Sequence, residues 1–574
     1  MSNGADLFCR TLEALGVEVV FGVPGTQNVL LYEAIRGSRI RSVLSTSETA
    51  AAFMANGYYR ASGKVAPVVT IPGPGFTYAL TGVAEASQDS VALLHVVGKP
   101  ETREGKAYGF QAIDQAAIAG TLIKGVVTVD RVEEIASKVS QAFALAVGGE
   151  PGPVLLHWCK DTLNTDLPGP AEPSFDRFDR GPIPAESLVE EAARFIGSAR
   201  RPILLLGQGC AAYAAGLAAL AEWLNAPVFT TISGRGILPE DHELSLGFDL
   251  VRSEVRVLND MIRESDCVAA FGSKLSSAGT GGYLLELPAD RLVRVEGSGE
   301  VLRANYPPRI GVEGSLEAVL PRLIAAIRKH PRPSGGWTAG EVREYRKKLR
   351  VVPERAVPEP TVRGVTPPDA GALLSALRRV LPRDGVVVTD SGLHQTLVRR
   401  HYDVLAPRGL IVPNDFQSMG FGIPAAIGAK LAVPERPVVA VTGDGCFAMT
   451  GMELLTAVRE KVPLTVVVLN DGRLNLIRLQ QIASSGRTES VDILNPDFSA
   501  FAAAVGAEYA LVEGNAEKVF RDAVGSGKVT LVEVEVGDSR AFRLMRAKGF
   551  LRDAARTALG PRWTKRIKEW RKGL

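Results

Sequence analysis

Residues 437–471 read PVVAVTGDGCFAMTGMELLTAVREKVPLTVVVLND. A β-branched apolar run leads into Gly443-Asp444-Gly445, a segment of helical character follows (MTGMELLTAVREKV), and a second apolar run, LTVVVLND, delivers Asn470. Continuous β-branched runs of this length are strands buried on both faces, and two of them joined by a helix form a βαβ unit with parallel strands. Asp444 and Asn470 are then expected at the carboxyl ends of neighbouring strands, where open α/β sheets bind ligands. A carboxylate, an amide oxygen and a nearby backbone carbonyl, for which Gly472 is the candidate, suit Mg²⁺, which takes the rest of its octahedron from phosphate oxygens and water. The glycines allow the backbone to approach a diphosphate closely. Either Gly-Asp-Gly or Asn470-Asp471-Gly472 alone would be an ordinary turn. Their joint placement after two buried strands favours the metal–phosphate reading.

The same alternation runs through the chain, as in VVTIP, then YALTGVAEASQD, then VALLHVVG, so the class is α/β with parallel, doubly wound sheets. Two stretches rich in proline, glycine and charge, residues 164–184 and 331–369, break the rhythm and read as linkers. They separate three α/β domains, residues 1–165, 185–330 and 368–537, followed by a basic tail at 538–574. At 574 residues the chain is too long for one core, which agrees with several domains. The first and third blocks share a rhythm but no close repeat, so any kinship between them would be structural. No apolar run reaches the ~20 residues of a membrane span, and the N-terminus has no signal or transit pattern. A cytoplasmic location is expected, with no membrane partner. A net charge of +3 argues against nucleic acid as a partner. The five cysteines have no metal-ligand or redox spacing and are expected to be reduced.

On these residues the chain resembles the thiamine-diphosphate-dependent enzyme family, in its acetolactate synthase-like large catalytic subunit branch. GDG followed by VVVLND resembles the family's cofactor motif, with Asp471 where a second Asn usually stands. Asp390-Ser391-Gly392-Leu393-His394-Gln395 resembles the segment that holds the diphosphate. Met419, in QSMGFGIPAAIGAK, matches the apolar residue that bends the cofactor. In the first block Phe21-Gly22-Val23-Pro24-Gly25, Glu48, GYYRASGK and Pro72-Gly73-Pro74-Gly75 stand in the family's order. Gly109-Phe110-Gln111 looks like the Phe-Gln that lies over the reacting carbons. Ser45-x-x-Glu48 also reads as a capping box, a role compatible with catalysis because a helix-start glutamate is held rigidly.

The resemblance implies a pyrimidine-binding first domain, a middle domain and a diphosphate-binding third domain. It implies Glu48 and Gln111 as catalytic residues, with Glu48 protonating the pyrimidine. It implies thiamine diphosphate held by Val23, Pro24, Glu48, Pro72, Ser391, Gly392, His394, Gln395, Gln417, Met419, Gly443, Asp444, Gly445, Cys446, Asn470, Gly472, Leu474, Asn475 and Leu476, with Mg²⁺ on Asp444, Asn470 and Gly472. Because the glutamate and the diphosphate site lie on different domains that meet across a subunit interface in this family, a homodimer is the minimum, with a tetramer left open.

The implied chemistry is addition of the cofactor's C2 ylide to the carbonyl of a 2-oxoacid or related donor, leaving an enamine. Protonation of that enamine makes a decarboxylase, and attack on a second carbonyl makes a carboligase. Simple decarboxylases of some branches carry a glutamate where Ile477 stands, and His95, in LLHVVG, reads as a core residue, so carboligation is favoured. A 2-oxoacid decarboxylase, a 2-hydroxyacyl-CoA lyase and a noncatalytic regulatory subunit are the alternatives; retention of Glu48 and Asp444 argues against the last. Gly207-Gln208-Gly209 alone is a weak dinucleotide fingerprint. Gln480, Tyr78 and Asn475 depart from acetolactate synthases, so the substrates are expected to differ from theirs, and an anionic or CoA-linked substrate is open. Gly272-Ser273-Lys274 replaces a flavin-contacting GxR, and FAD is not expected.

Residues 540–574 carry 12 Lys and Arg against Asp553 and Glu569, and leave the remainder of the chain net negative. As a lid, this tail would bring cations to an anionic substrate and exclude water; the alternative is a solvated basic helix. Truncation after Asp538 is expected to spare cofactor binding and raise KM in a salt-dependent way. Kinetics unchanged with the true substrate would leave only the solvated helix.

Overall fold

The computed structural model describes residues 2–99, 108–169, 171–175, 181–247, 252–349 and 369–536. The basic tail lies outside them. Three six-stranded parallel sheets follow one another along the chain. The first contains β1 (Val19–Gly22), β2 (Arg41–Leu44), β3 (Val68–Thr70), β4 (Leu93–Gly98), β5 (Gly125–Val129) and β6 (Pro153–Trp158), in spatial order β2-β1-β3-β4-β6-β5. The middle sheet contains β7 (Pro202–Leu206), β8 (Val228–Thr230), β9 (Ser245–Gly247), β10 (Cys267–Phe271), β11 (Leu292–Glu296) and β12 (Ile310–Glu313), ordered β12-β11-β10-β7-β8-β9. The third contains β13 (Val386–Thr389), β14 (Leu410–Ile411), β15 (Val438–Gly443), β16 (Thr465–Asn470), β17 (Glu508–Leu511) and β18 (Thr530–Glu535), ordered β14-β13-β15-β16-β18-β17.

The first and third sheets thus share one strand order, so the kinship invisible in the sequence is structural. The middle sheet has the doubly wound dinucleotide-binding order. The opening βαβ reading holds: β15 and β16 are parallel neighbours, with Gly443 opposite Leu469. Ligands collect where strand order reverses at the carboxyl edge. That point falls between β1 and β3, followed by Val23 and Ile71, and between β13 and β15, followed by Asp390 and Asp444.

Five helices position the candidate site: α1 (Glu48–Ser62), α2 (Pro74–Gln88), α3 (Gly422–Ala432), α4 (Asp444–Thr450) and α5 (Asn475–Ser485). Helix α4 begins at Asp444 itself, earlier than the MTGMELL phrase suggested, and a 3₁₀ turn at Gly451–Glu453 separates it from the helix at Leu454–Arg459. The cap of α1 also differs from expectation. Ser47, not Ser45, accepts the Ala50 N–H at 3.3 Å, while Ser45 Oγ donates to Ser47 O. The stretch read as the second linker contains a helix, Ala339–Leu349, fixed to the middle domain by buried Trp337, whose indole N–H donates to Pro202 O at 2.9 Å. Its sequence, AGEVREYRKKL, buries only Val342 and Tyr345, too few apolar positions to show as an amphipathic stripe.

Helix α1 of the first block crosses α3 of the third with backbone in contact with backbone. A β-carbon at Gly57 would collide with Ala425 O, and one at Gly428 with Met54 O. The pairing Gly57 to Ala425 and Met54 to Gly428 makes the helices antiparallel. Phe53 and Phe421 close the contact edge to face, 5.4 Å between ring centroids. No helix among the described residues is long and apolar enough to cross a membrane.

Because the obstacle at residue 428 is backbone, Gly428→Ala is expected to destabilise by about 3 kcal/mol, the upper range for overpacking, seen as an earlier unfolding transition. Gly525→Ala, in a helix where an added methyl meets nothing within 4 Å, should leave that transition in place or raise it.

Candidate active site

Asp444 follows β15 directly and is 3% exposed. Its Oδ1 accepts the Gly445 N–H at 2.8 Å, and its Oδ2 accepts N–H groups of Gly472 at 2.6 Å and Asp471 at 3.2 Å. These bonds tie the ends of β15 and β16 together. Asn470 donates through Nδ2 to Glu533 Oε1 at 2.7 Å, and Tyr509 donates to the other Glu533 oxygen at 2.7 Å. A carboxylate there takes the amide N–H, so Asn470 Oδ1 faces Asp444. Asn495 Nδ2 sits between them, 2.7 Å from Asp444 Oδ2 and 2.8 Å from Asn470 Oδ1. One positively polarised group therefore satisfies both oxygens, in the position a shared cation would take, and this donor set fits Mg²⁺. Gly472, with φ of +66°, presents its carbonyl to Ile493 N–H at 2.9 Å.

Beside this pair is a cavity of about 140 Å³ lined by Ser391, Gly392, His394, Met419, Gly443, Asp444, Gly445, Cys446, Leu474, Asn475 and Leu476, together with Asp471, Arg473 and Ile477. Its walls depend on missing side chains: a β-carbon at Gly445 would come within 2.6 Å of Leu474 Cδ2, and one at Gly392, φ +148°, within 2.8 Å of the His394 ring. Burial lowers His394 to about 4, against an opposing bond to the Asp390 backbone, and its Nε2 is buried without a partner. With the ring already donating to the Asp390 backbone, this second nitrogen on a glycine-lined wall donates to a phosphate oxygen once the ring is protonated, the form that a bound phosphate favours. Asp390, His394 and Cys446 cluster within 4.8 Å. Asp390, however, spends both oxygens on backbone, accepting Ser391 N–H at 2.7 Å, Gly420 N–H at 3.0 Å and Gly422 N–H at 2.7 Å. The Cys446 thiol donates to Ser391 O at 3.0 Å, and burial raises it well above the usual thiol range. Burial and then the Asp444 charge push Asp471 up to about 7.

Gln395 and Gln417 are turned elsewhere. Gln395 donates to Pro413 O at 2.8 Å, and exposed Gln417 to Asn414 O at 3.1 Å.

The first-block residues form a separate group. Glu48 is the first residue of α1, half-buried, and burial raises its carboxyl above the usual range. A β-carbon at Gly75 would lie 3.0 Å from Glu48 Oε1 and 2.7 Å from Ile71, and one at Gly25 would lie 2.6 Å from Ile71, so the loops at Val23-Pro24 and Pro72–Gly75 converge beside the carboxyl. Gln111, at φ +56°, packs on Gly73, and its Oε1 is buried without a partner. Glu453 of the third block fixes the approach to α1 by accepting the Thr46 N–H at 3.0 Å.

Sequence reading missed Asn495, Glu533, Tyr509 and Gln115. Buried Gln115 accepts the Gly73 N–H at 3.1 Å and donates to Gly98 O at 3.2 Å, holding the turn on which Gln111 rests. The one available signal was the buried-strand phrase TLVEVE, in which Glu533 is a carboxylate among apolar neighbours. His95 is a core residue, bonded to Thr70 Oγ1 at 3.0 Å, stacked on Phe76 and lowered to about 3 by burial.

Glu48 and Met419 stand at opposite ends of the antiparallel α1–α3 pair. At 1.5 Å per residue they are separated by on the order of 20 Å within one chain.

Three family models cover most of the chain in sequence order: thiamine pyrophosphate enzyme N-terminal TPP binding domain over residues 2–118, central domain over 189–323, and C-terminal TPP binding domain over 390–534. The chain belongs to the thiamine pyrophosphate enzyme family and is an enzyme of its carbon–carbon bond-making or bond-breaking kind. It is similar to a probable 2-ketoarginine decarboxylase of Pseudomonas aeruginosa, 31% identical over 92% of both chains. It is also similar to the acetolactate synthase isozyme 1 large subunit of Escherichia coli, 29% identical over 83% of both, and to a probable acetolactate synthase large subunit of Methanocaldococcus jannaschii, 28% identical over 96% of this chain and 94% of that one.

Asp444→Ala is expected to abolish Mg²⁺-dependent binding of thiamine diphosphate in titration calorimetry. Glu533→Ala should weaken Mg²⁺ about 10- to 100-fold, the usual cost of losing a group that orients a ligand. Tight cofactor binding by the Asp444 variant without added Mg²⁺ would place the metal elsewhere.

Proposed function

We propose that the protein is a carboligase that takes a 2-oxoacid or related carbonyl donor, breaks the bond to its carboxylate to release CO₂ in the case of a 2-oxoacid, and joins the remaining acyl-anion equivalent to a second carbonyl compound. The observation that carries this reading is the apolar trio Leu474, Leu476 and Ile477, which shares the cavity wall at the start of α5 with Arg473 and Asn475. The trio stands where a decarboxylase would place a proton donor. The first block's buried histidines are neutral and engaged: His95 with Thr70, and His157 with Gln115 at 3.1 Å, with burial lowering His157 to about 4. With Asp471 held by Asn475 Nδ2 at 2.8 Å and by the Arg473 N–H at 3.1 Å, and no acid among Leu474, Leu476 and Ile477, survival of the nucleophilic fragment until an acceptor arrives is favoured. Decarboxylation alone is the second reading, favoured by the relative named a probable 2-ketoarginine decarboxylase.

Bound thiamine diphosphate supplies the carbanion equivalent for this chemistry. Asp444, Asn470 and the Gly472 carbonyl would hold Mg²⁺, His394, Ser391 and the glycines would receive the diphosphate, and Met419 would give the ring system apolar support. Glu48 exchanges a proton with the pyrimidine nitrogen, a role that its raised affinity for a proton supports. Gln111 faces the substrate. The separation of on the order of 20 Å between Glu48 and Met419 supports an active site shared between two copies of the chain, in a homodimer or a tetramer built from dimers. FAD is not part of the proposed cofactor set, a reading supported by Lys274, where a flavin contact would be, bonding to Gln88 O and lying 3.6 Å from Glu150. Five unpaired cysteines support a cytoplasmic location.

Glu48→Gln is expected to bind cofactor nearly as wild type and to lose 10²- to 10⁴-fold in turnover, as a positioned proton-transfer group should; near wild-type turnover would remove Glu48 from the mechanism. Mass spectrometry of products from pyruvate, other 2-oxoacids and acyl-CoA thioesters separates the reactions. A joined product with loss of CO₂ is expected, and an aldehyde formed one for one with CO₂ would establish the decarboxylase.

A further inference from the structure

Glu85, near the end of α2 in the first block, has no exposed surface. It points into the third block, where its Oε2 accepts the Ser418 N–H at 2.8 Å, with the Ser418 hydroxyl and the Asp89 carboxyl beside it. Two residues further on, the Gly420 N–H donates to Asp390 Oδ1 at 3.0 Å. Met419 is therefore flanked by two backbone amides, each held by a buried carboxyl, and the two carboxyls come from different domains. The segment leading into it is strained: Gln417, a non-glycine residue, sits at φ +61°, a conformation that persists only when its surroundings impose it. Asp89, the residue capping α2, supplies a second link by accepting the Asn414 N–H at 3.3 Å while paired with Arg60 at 3.0 Å. Burial and then the Asp89 charge push the Glu85 carboxyl upward, with the Ser418 hydroxyl and amide pulling the other way. Glutamine keeps an acceptor oxygen at this position.

We propose that Glu85 is a positioning residue that sets Met419 from another domain, so that the docking of the first block on the third in one chain adjusts the apolar support beneath the cofactor. This rests on the reading of Met419 given above. A buried acceptor of an isolated backbone N–H is costly to remove, because the amide is then left unsatisfied. Here the loss falls on a φ-strained segment next to the reacting centre, where small displacements cost large factors in rate.

The test uses the full-length enzyme loaded with thiamine diphosphate and Mg²⁺. Glu85→Ala is expected to lower kcat at least about tenfold and to alter the induced near-ultraviolet circular dichroism of the bound cofactor. Glu85→Gln, which keeps the acceptor, should restore both to within about threefold of wild type. Should the alanine variant not fold, Glu85→Asp, one methylene shorter, withdraws the acceptor while keeping the carboxyl and should show the same losses. Met419→Ala distinguishes the two layers of the argument. If it loses activity while Glu85→Ala or Glu85→Asp keeps kcat and the cofactor signal, the role of Glu85 is overturned and Met419's stands. If Met419→Ala is as active as wild type, the reading of Met419 falls and the proposal with it. Failure of Glu85→Gln to rescue would also overturn it.

Discussion

The backbone contact between α1 and α3 is the constraint on which the rest of this structure depends. Gly57 and Gly428 bring two helices from different blocks so close that neither can carry a side chain, and close packing of that kind tolerates no sliding. Helix α1 begins at Glu48, and α3 begins just after Met419. A single interface therefore fixes the direction of the Glu48 carboxyl and of Met419, the two groups proposed to serve proton exchange and apolar support. By running the helices antiparallel, it also keeps those two groups apart within one chain. The geometry that stabilises the monomer is the same geometry that leaves each half of the proposed site incomplete.

A second regularity is the use of buried carboxyls as acceptors of backbone amides. Asp390 gathers Ser391, Gly420 and Gly422; Asp444 gathers Gly445, Asp471 and Gly472; Glu85 takes Ser418; Glu453 takes Thr46. Burying a carboxyl is unfavourable unless hydrogen bonds replace its water, so each of these sites is stable only with its loop in place. The segments in question follow β2, β13, β14 and β16, and those after β13 and β16 lie at the edge where the ligand would bind. Their rigidity comes from this bonding and not from regular secondary structure. Such preorganisation is what a site needs if it is to hold a diphosphate and a metal without rearranging.

The middle block contributes differently. Its strand order is that of a nucleotide-binding sheet, and a cavity of about 280 Å³ lies where it meets the other two blocks, lined by Gln208, Gly209, Lys274 and Glu296 among others. Burial raises Glu296 to about 8, and it accepts the Ser273 N–H at 2.8 Å. In the described residues this block touches the proposed catalytic residues only indirectly, through contacts such as Arg60 with Ser233 at 3.0 Å.

What the sequence determined by itself was local: strand–helix alternation and the Gly-Asp-Gly and Asn470 pair at adjacent strand ends, while the Asp390–Gln395 and Met419 phrases were read through the family resemblance. These are readable because strand burial, helix starts and tight glycine turns are encoded within a few residues, and because ligand chemistry restricts which residue types can serve. Tertiary structure alone decided that Asn495 would bridge Asp444 and Asn470, that Glu533 would orient Asn470, that Gln115 would hold the turn at Gly73, and that Glu85 would reach Ser418. It also decided the common strand order of the first and third sheets and the antiparallel α1–α3 crossing. Apart from the carboxylate of Glu533 in the buried-strand phrase TLVEVE, none of these carries a local pattern. A buried polar residue satisfies its hydrogen bonds with whatever the fold brings to it, and Glu85 and Ser418 lie 333 positions apart along the chain.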